Sequence, residues 1–202
     1  MRNWMDQSIL SNSVMGDKLQ NVELLATAIS ELNLQGLIAE AGVYKGGSAK
    51  LLATVFSDRR LLLFDSFEGM LEGDEHPEGG HKKGDFSDSS LHAVQEFLKD
   101  NNNCEFYAGW FPASADFLSD EEFAFVHLDM DYYQSTRDGI KVFWPRMVKG
   151  GIMLFDDWTP PGYRGQVNTP GVNIAFDEYF SQRDDYQVLP TDCPYMRSIV
   201  KI

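Results

Sequence analysis

Three apolar runs in this chain each end on aspartate: "RLLLFD" closes at Asp65, "FAFVHLD" at Asp129, and "GGIMLFDD" at Asp156 and Asp157. A run apolar on both faces suits a parallel strand covered by helices on each side, because such a strand meets no solvent along its length. The carboxylates then stand where the strands leave the core. "GLIAEAGV" is a fourth run of this kind, and "CEFYAGWF" reads as a strand with its own terminal loop. Helical spacing lies between them. Leu19, Val22, Leu25, Ala26, Ile29 and Leu32 predict a helix over Lys18 to Asn33, and Ser48 is placed to cap a helix starting near Ala49. Leu91, Val94, Phe97 and Leu98 mark another, "STRDGIKVFWPRMV" a fourth that its proline ends or kinks, and "PGVNIAFDEYFSQRDD" a last one. Five alternations of strand and helix call for an α/β fold with a mostly parallel, doubly wound sheet, since parallel neighbours need crossover connections. "YQVLP" and "MRSIVKI" then form a C-terminal antiparallel hairpin. Residues 1–202 read as a single domain, with the polar segment 70–90 as an insertion or lid loop.

Charge narrows the partners. With 17 Lys and Arg against 31 Asp and Glu, the net charge of -14 argues against nucleic acid and anionic membrane, and favours small neutral or cationic ligands or metal ions. Cys104 and Cys193 lie outside any CxxC spacing and read as reduced, structural thiols. No apolar stretch approaches the roughly 20 residues needed to cross a bilayer, and the N-terminal run lacks the apolar core of a signal peptide. The expectation is a soluble, cytoplasmic protein.

In an open α/β sheet, ligands bind outside the carboxyl ends of the strands. Those ends carry Glu40 with Gly42, Gly46, Gly47 and Ser48, then Asp65 and Ser66, Gly109 and Trp110, Asp129 and Asp131, and Asp156 and Asp157. The first loop is neither GxGxxG nor a P-loop, so alone it is only a tight turn before a helix. An acid about 25 residues further on is where a ribose diol is usually taken, and Asp65 stands there. Together they favour a nucleoside-bearing ligand. In extended geometry Asp129 and Asp131 share one face, so their like charges need a cation nearby. Four acids with no Cys pair and no HExxH suit Mg²⁺ or Mn²⁺. His127, by alternation on the side of Asp129, reads as a buried hydrogen-bonded histidine. His76 and His81 fall in the loop as solvent-facing or substrate-facing groups, and His92 as an exposed helix residue. Trp110, Phe111, Tyr132, Tyr133 and Trp158 are core or rim residues that can also stack on a ring.

The ordered set "EAGVYKGGS", "DSFEGM", "GDF", "AGWFPAS", "FVHLDMDYYQST", "KGGIMLFDDW" and "TPGVNIAFDEYF" resembles the macrocin O-methyltransferase family, from about Leu19 to Phe180. The resemblance implies a Rossmann-like class I methyltransferase fold, S-adenosylmethionine as cofactor, Mg²⁺ (or Mn²⁺), and a sugar or glycosylated small molecule as acceptor. Carried over by position, Asp129, Asp156 and Asp157 hold the metal and Asp131 is the general base. Glu40, Gly42 and Ser48 line the methionine side of the cofactor, and Val43, Tyr44 and Gly47 belong to the same loop. Asp65 takes the ribose hydroxyls with Ser66 and Phe67 beside it. Asp85 and Phe86 shape the adenine pocket, and Asp129 counts among the cofactor residues as well. With little chain to cover the acceptor, a homodimer is expected to complete the pocket. Two other readings fit parts of the sequence: a glycosyltransferase using "LDMD" as a metal-binding DxD, and a non-catalytic cofactor-binding protein.

Overall fold

The apolar runs lie side by side in a computed structural model that describes residues 16–71, 81–160, 169–191 and 193–202. Seven strands form one sheet: β1 (Leu37–Ala41), β2 (Leu61–Asp65), β3 (Cys104–Ala108), β4 (Phe123–Leu128), β5 (Met147–Asp156), β6 (Tyr186–Leu189) and β7 (Met196–Lys201). Their spatial order is β3-β2-β1-β4-β5-β7-β6. The first five are parallel, β7 runs antiparallel against β5, and β6 pairs antiparallel with β7. This is the expected class I methyltransferase sheet with its C-terminal hairpin. The chain steps outward from β1 to β3, then returns to the other side of β1, so the order reverses between β1 and β4. The crevice that such a reversal opens is the ligand position of this architecture.

Alternation along the strands divides the core in two. Leu61, Leu63, Phe125 and Leu154 face helix α1 (Gly16–Glu31) and helix α2 (Gly47–Val55). Leu62, Phe64, Val126 and Phe155 face the other side, under α4 (Tyr133–Phe143) and α5 (Pro170–Phe180). There Trp144 and Phe180 meet edge to face at 4.9 Å, as do Phe123 and Phe143 at 5.2 Å, and each fully buried ring stabilises the fold by roughly 1.5–3 kcal/mol. The short helix α3 is Leu91–Phe97, with the Ser90 hydroxyl accepting from the Ala93 N–H at 3.2 Å as its cap.

Three local readings change. Helix α1 ends at Glu31 because Asn33 turns left-handed (φ 50°), and Leu32 is left exposed outside it. Ser48 does not cap α2. Gly46 enters the helix in the left-handed region (φ 83°), which puts Ser48 within the first turn, and a side chain at Gly46 would press on Val94 of α3. Strand β5 begins at Met147 rather than Gly150, because the ladder to β4 absorbs Gly150 (φ 85°) in an irregularity between Phe123 and Phe125. Pro145 does end its helix, which passes into a 3₁₀ turn over Trp144–Arg146. Among the described residues no helix is long and apolar enough to cross a membrane, and the two cysteines are not joined. Residues 72–80, with His76 and half of the expected lid loop, lie outside the described residues.

Candidate active site

The four acids that follow β4 and β5 do come together, but not by the extended projection of the sequence. Strand β4 ends at Leu128; the Asp129 N–H still bonds the Ala41 carbonyl of β1 at 2.8 Å, and the chain then bends so that Asp131 sits at φ 60°. Asp129 and Asp131 therefore part company. The ligand atoms of Asp129, Asp156 and His127 lie within 4.8 Å of one another, and so do those of Asp131, Asp157 and His81. The expected metal trio is divided between the two groups, with Asp129 and Asp156 in one and Asp157 in the other.

Between the groups stands Lys18. Its ammonium donates to Asp156 Oδ2 at 2.9 Å and also to Asp157 Oδ1. Burial works against that charge, but Asp156, Asp129 and Asp157 outweigh it and raise the lysine's pKa. Burial raises the pKa of Asp129 well above the usual carboxylate range, with Asp156 and Asp131 adding to it. Asp131 is raised by burial too, and next by its hydrogen bond with Asp157. The residue most easily missed in the sequence is Lys18. The signal was there: it lies on the same stripe of α1 as Val22, Leu25 and Ile29, and a lysine on a buried stripe needs an acid.

Glu40 lies within β1, fully buried, and its Oε1 pairs with Nδ1 of His127, itself buried, at 2.8 Å. His127 is thus the buried, bonded histidine expected. Among the described residues Glu40 Oε2, His127 Nε2 and Asp156 Oδ1 have no hydrogen-bond partner. These three atoms stand at or beside the acid cluster, where an ion or ligand can satisfy them.

The glycine loop is organised by Asp65 at the end of β2. Its Oδ2 accepts from the N–H groups of Val43 at 2.7 Å and Tyr44 at 2.8 Å, and its Oδ1 from the Phe67 N–H at 2.7 Å. A carboxylate offers about four lone-pair positions, so one remains. Gly42 (φ 90°) is required for packing as much as for ligand approach, because a Cβ there would overlap the Asp129 carbonyl oxygen. Gly47 opens α2, and the Ser66 hydroxyl accepts from the Glu68 N–H at 3.1 Å. Phe86 meets Tyr44 edge to face at 5.2 Å, while Asp85 Oδ2 accepts from the Lys82 N–H and lies 3.8 Å from His81. The Tyr44 hydroxyl and Lys45 both reach Asp88, a contact that nothing in the sequence marked. The part of the loop that is described thus closes over the first turn, and His81 continues to within 3.6 Å of Asp131. Tyr44, Phe67, Asp131 and Asp157 all hold left-handed backbone (φ 49–60°), one after each of β1, β2, β4 and β5. Non-glycine residues in that region cost about 1–3 kcal/mol each and collect at working sites. Trp158, by contrast, has one face covered by the Arg197 guanidinium at 3.6 Å.

The profile of the macrocin-O-methyltransferase (TylF) family matches residues 2–179. A tetracenomycin-C rhamnosyl 4'-O-methyltransferase of Streptomyces olivaceus is 26% identical over 182 residues, 83% of this chain and 69% of that protein. Demethyldecarbamoylnovobiocin O-methyltransferase of Streptomyces niveus is 25% identical, covering 83% of this chain and 66% of its own length. Among solved structures, the O-methyltransferase NovP superposes with a TM-score of 0.76 at 22% identity, covering 92% of this chain and 79% of its own. An O-methyltransferase from Bacillus cereus in complex with SAH gives 0.65 at 15% identity, covering 97% of this chain and 91% of its own.

Proposed function

The chain belongs to the macrocin O-methyltransferase family, and from that membership we propose that it transfers a methyl group from S-adenosylmethionine to a hydroxyl of a sugar or glycosylated small molecule, with a divalent metal at the acid cluster. The observation that carries the reading is the convergence of Asp129, Asp131, Asp156 and Asp157 beside the strand-order reversal, next to a glycine loop held by Asp65. Membership in a methyltransferase family favours this reading over the glycosyltransferase and non-catalytic ones.

The donor side follows from what is left open. Asp65 has one acceptor position for a ribose hydroxyl, and the buried Glu40 Oε2 offers a carboxylate oxygen to a cationic amine. Tyr44, Phe67 and Phe86 supply apolar walls. At the acid cluster, hard oxygen donors and the unpartnered Asp156 Oδ1 fit Mg²⁺ or Mn²⁺, which Asp129, Asp156 and Asp157 would hold. Such an ion would lower the pKa of a sugar hydroxyl held against it and help to orient that oxygen. The acceptor oxygen then attacks the methyl carbon opposite sulfur: the oxygen–carbon bond forms, the carbon–sulfur bond breaks, and its electron pair stays on sulfur. Asp131 takes the hydroxyl proton. Titration calorimetry with S-adenosylhomocysteine, followed by methyl transfer to nucleotide-linked and glycosylated sugars with and without EDTA, tests this. The absence of S-adenosylhomocysteine binding at high micromolar ligand would sink it.

A further inference from the structure

A cation already stands among the acids, and its placement, taken with the metal assignment above, has a consequence for how that metal is admitted. Lys18 is 8% exposed and projects from the buried stripe of α1, whose Leu19, Val22, Ala26 and Ile29 are packed into the core. Its ammonium is therefore delivered by an anchored helix and not by a loose surface chain. It donates to Asp156 Oδ2 and Asp157 Oδ1, oxygens of two of the three carboxylates assigned to the metal. The ammonium holds one oxygen of each carboxylate and leaves Asp156 Oδ1 without a partner among the described residues. A divalent ion taken up by the same two acids would stand within about one carboxylate's width of the ammonium, and two cations at that range repel each other.

We propose that Lys18 is a tethered counter-ion that occupies the cation position while no metal is bound and competes with the divalent ion for Asp156 and Asp157. Metal entry then drives the ammonium back from the two carboxylates by charge repulsion, which its four-carbon stem allows. The device keeps the carboxylates in place when they would otherwise repel each other, and sets metal affinity below what the acids alone would give.

Mn²⁺ affinity, read by electron paramagnetic resonance or calorimetry, tests this in the wild-type protein and in Lys18→Met and Asp156→Asn. Competition predicts that Lys18→Met binds Mn²⁺ tighter by on the order of tenfold or more, the equivalent of losing one charge-assisted hydrogen bond. Equal or weaker binding in Lys18→Met overturns it, and if Asp156→Asn still abolishes Mn²⁺ binding the metal assignment survives that failure. Equal Mn²⁺ binding by wild type and Asp156→Asn overturns both. Should Lys18→Met not fold, hydrogen exchange on the wild type decides. Mg²⁺ is expected to quicken exchange of the Lys18 ammonium protons with water, read by side-chain NMR, and unchanged or slowed exchange there rejects the competition.

Discussion

At the scale of single residues, the acids at the strand ends were legible because a carboxylate closing an apolar run must either leave the core for water or meet a positive partner. What was illegible is where backbone conformation takes over. Asp131 was projected along an extended strand, yet it lies past the end of β4 in the left-handed region, which points it to Asp157 and His81 instead of Asp129. Asp131→Asn is expected to slow methyl transfer by roughly 10²–10⁴-fold, as for loss of a general base, while S-adenosylhomocysteine affinity stays within about twofold. Gly42 was read as room for a ligand, and the Asp129 carbonyl against it is a long-range contact that no local pattern records. Gly42→Ala should cost about 3 kcal/mol or more and lower the melting temperature by roughly 6–12 °C. A melting curve unchanged from wild type would mean that the two strand ends are not in contact.

At the scale of elements, the strands and α-helices described between Lys18 and Lys201 were foreseen from apolar runs, helical spacing and turn signals, and the discrepancies sit at ends, apart from the short 3₁₀ turn over Ala113–Ala115. Ends are set by single backbone states, such as Gly46 entering α2 or Asn33 leaving α1, and these follow from neighbours far away in sequence. The junction after α5 shows the same long reach. Asp185, just before β6, accepts from the buried Trp144 indole at 3.1 Å and is gripped by Arg183 at 2.6 Å. Arg183 first, then Trp144, hold its carboxyl below the ordinary aspartate value against the opposing effect of burial. A carboxyl lowered on folding stabilises above its unfolded pKa, and that contribution is lost as pH falls through the folded value. Solvent screens the Arg183 pair, so Asp185→Asn should cost only about 1 kcal/mol at pH 7 and progressively less below about pH 4, by urea unfolding at a series of pH values. A difference that does not change with pH would refute the assignment.

At the scale of the molecule, strand order assigns the two sides of the reaction to different stretches of chain. The donor residues from Glu40 through Phe86 precede β4, and the four acids follow it, with Asp129 counted on both sides; the two stretches meet where Ala41 and Gly42 touch Asp129. S-adenosylhomocysteine at about a hundred times its dissociation constant should raise stability by about 2.7 kcal/mol, which a melting curve reads as a shift of roughly 5–11 °C. Lys18 and His81 reach across from the earlier stretch to the acids, and of the two only Lys18 comes from a helix packed into the core. The division also bears on descent: changes after β3 can retune which hydroxyl is received while the donor half is inherited intact, provided that whatever replaces the later segment still accommodates a lysine coming from the first helix.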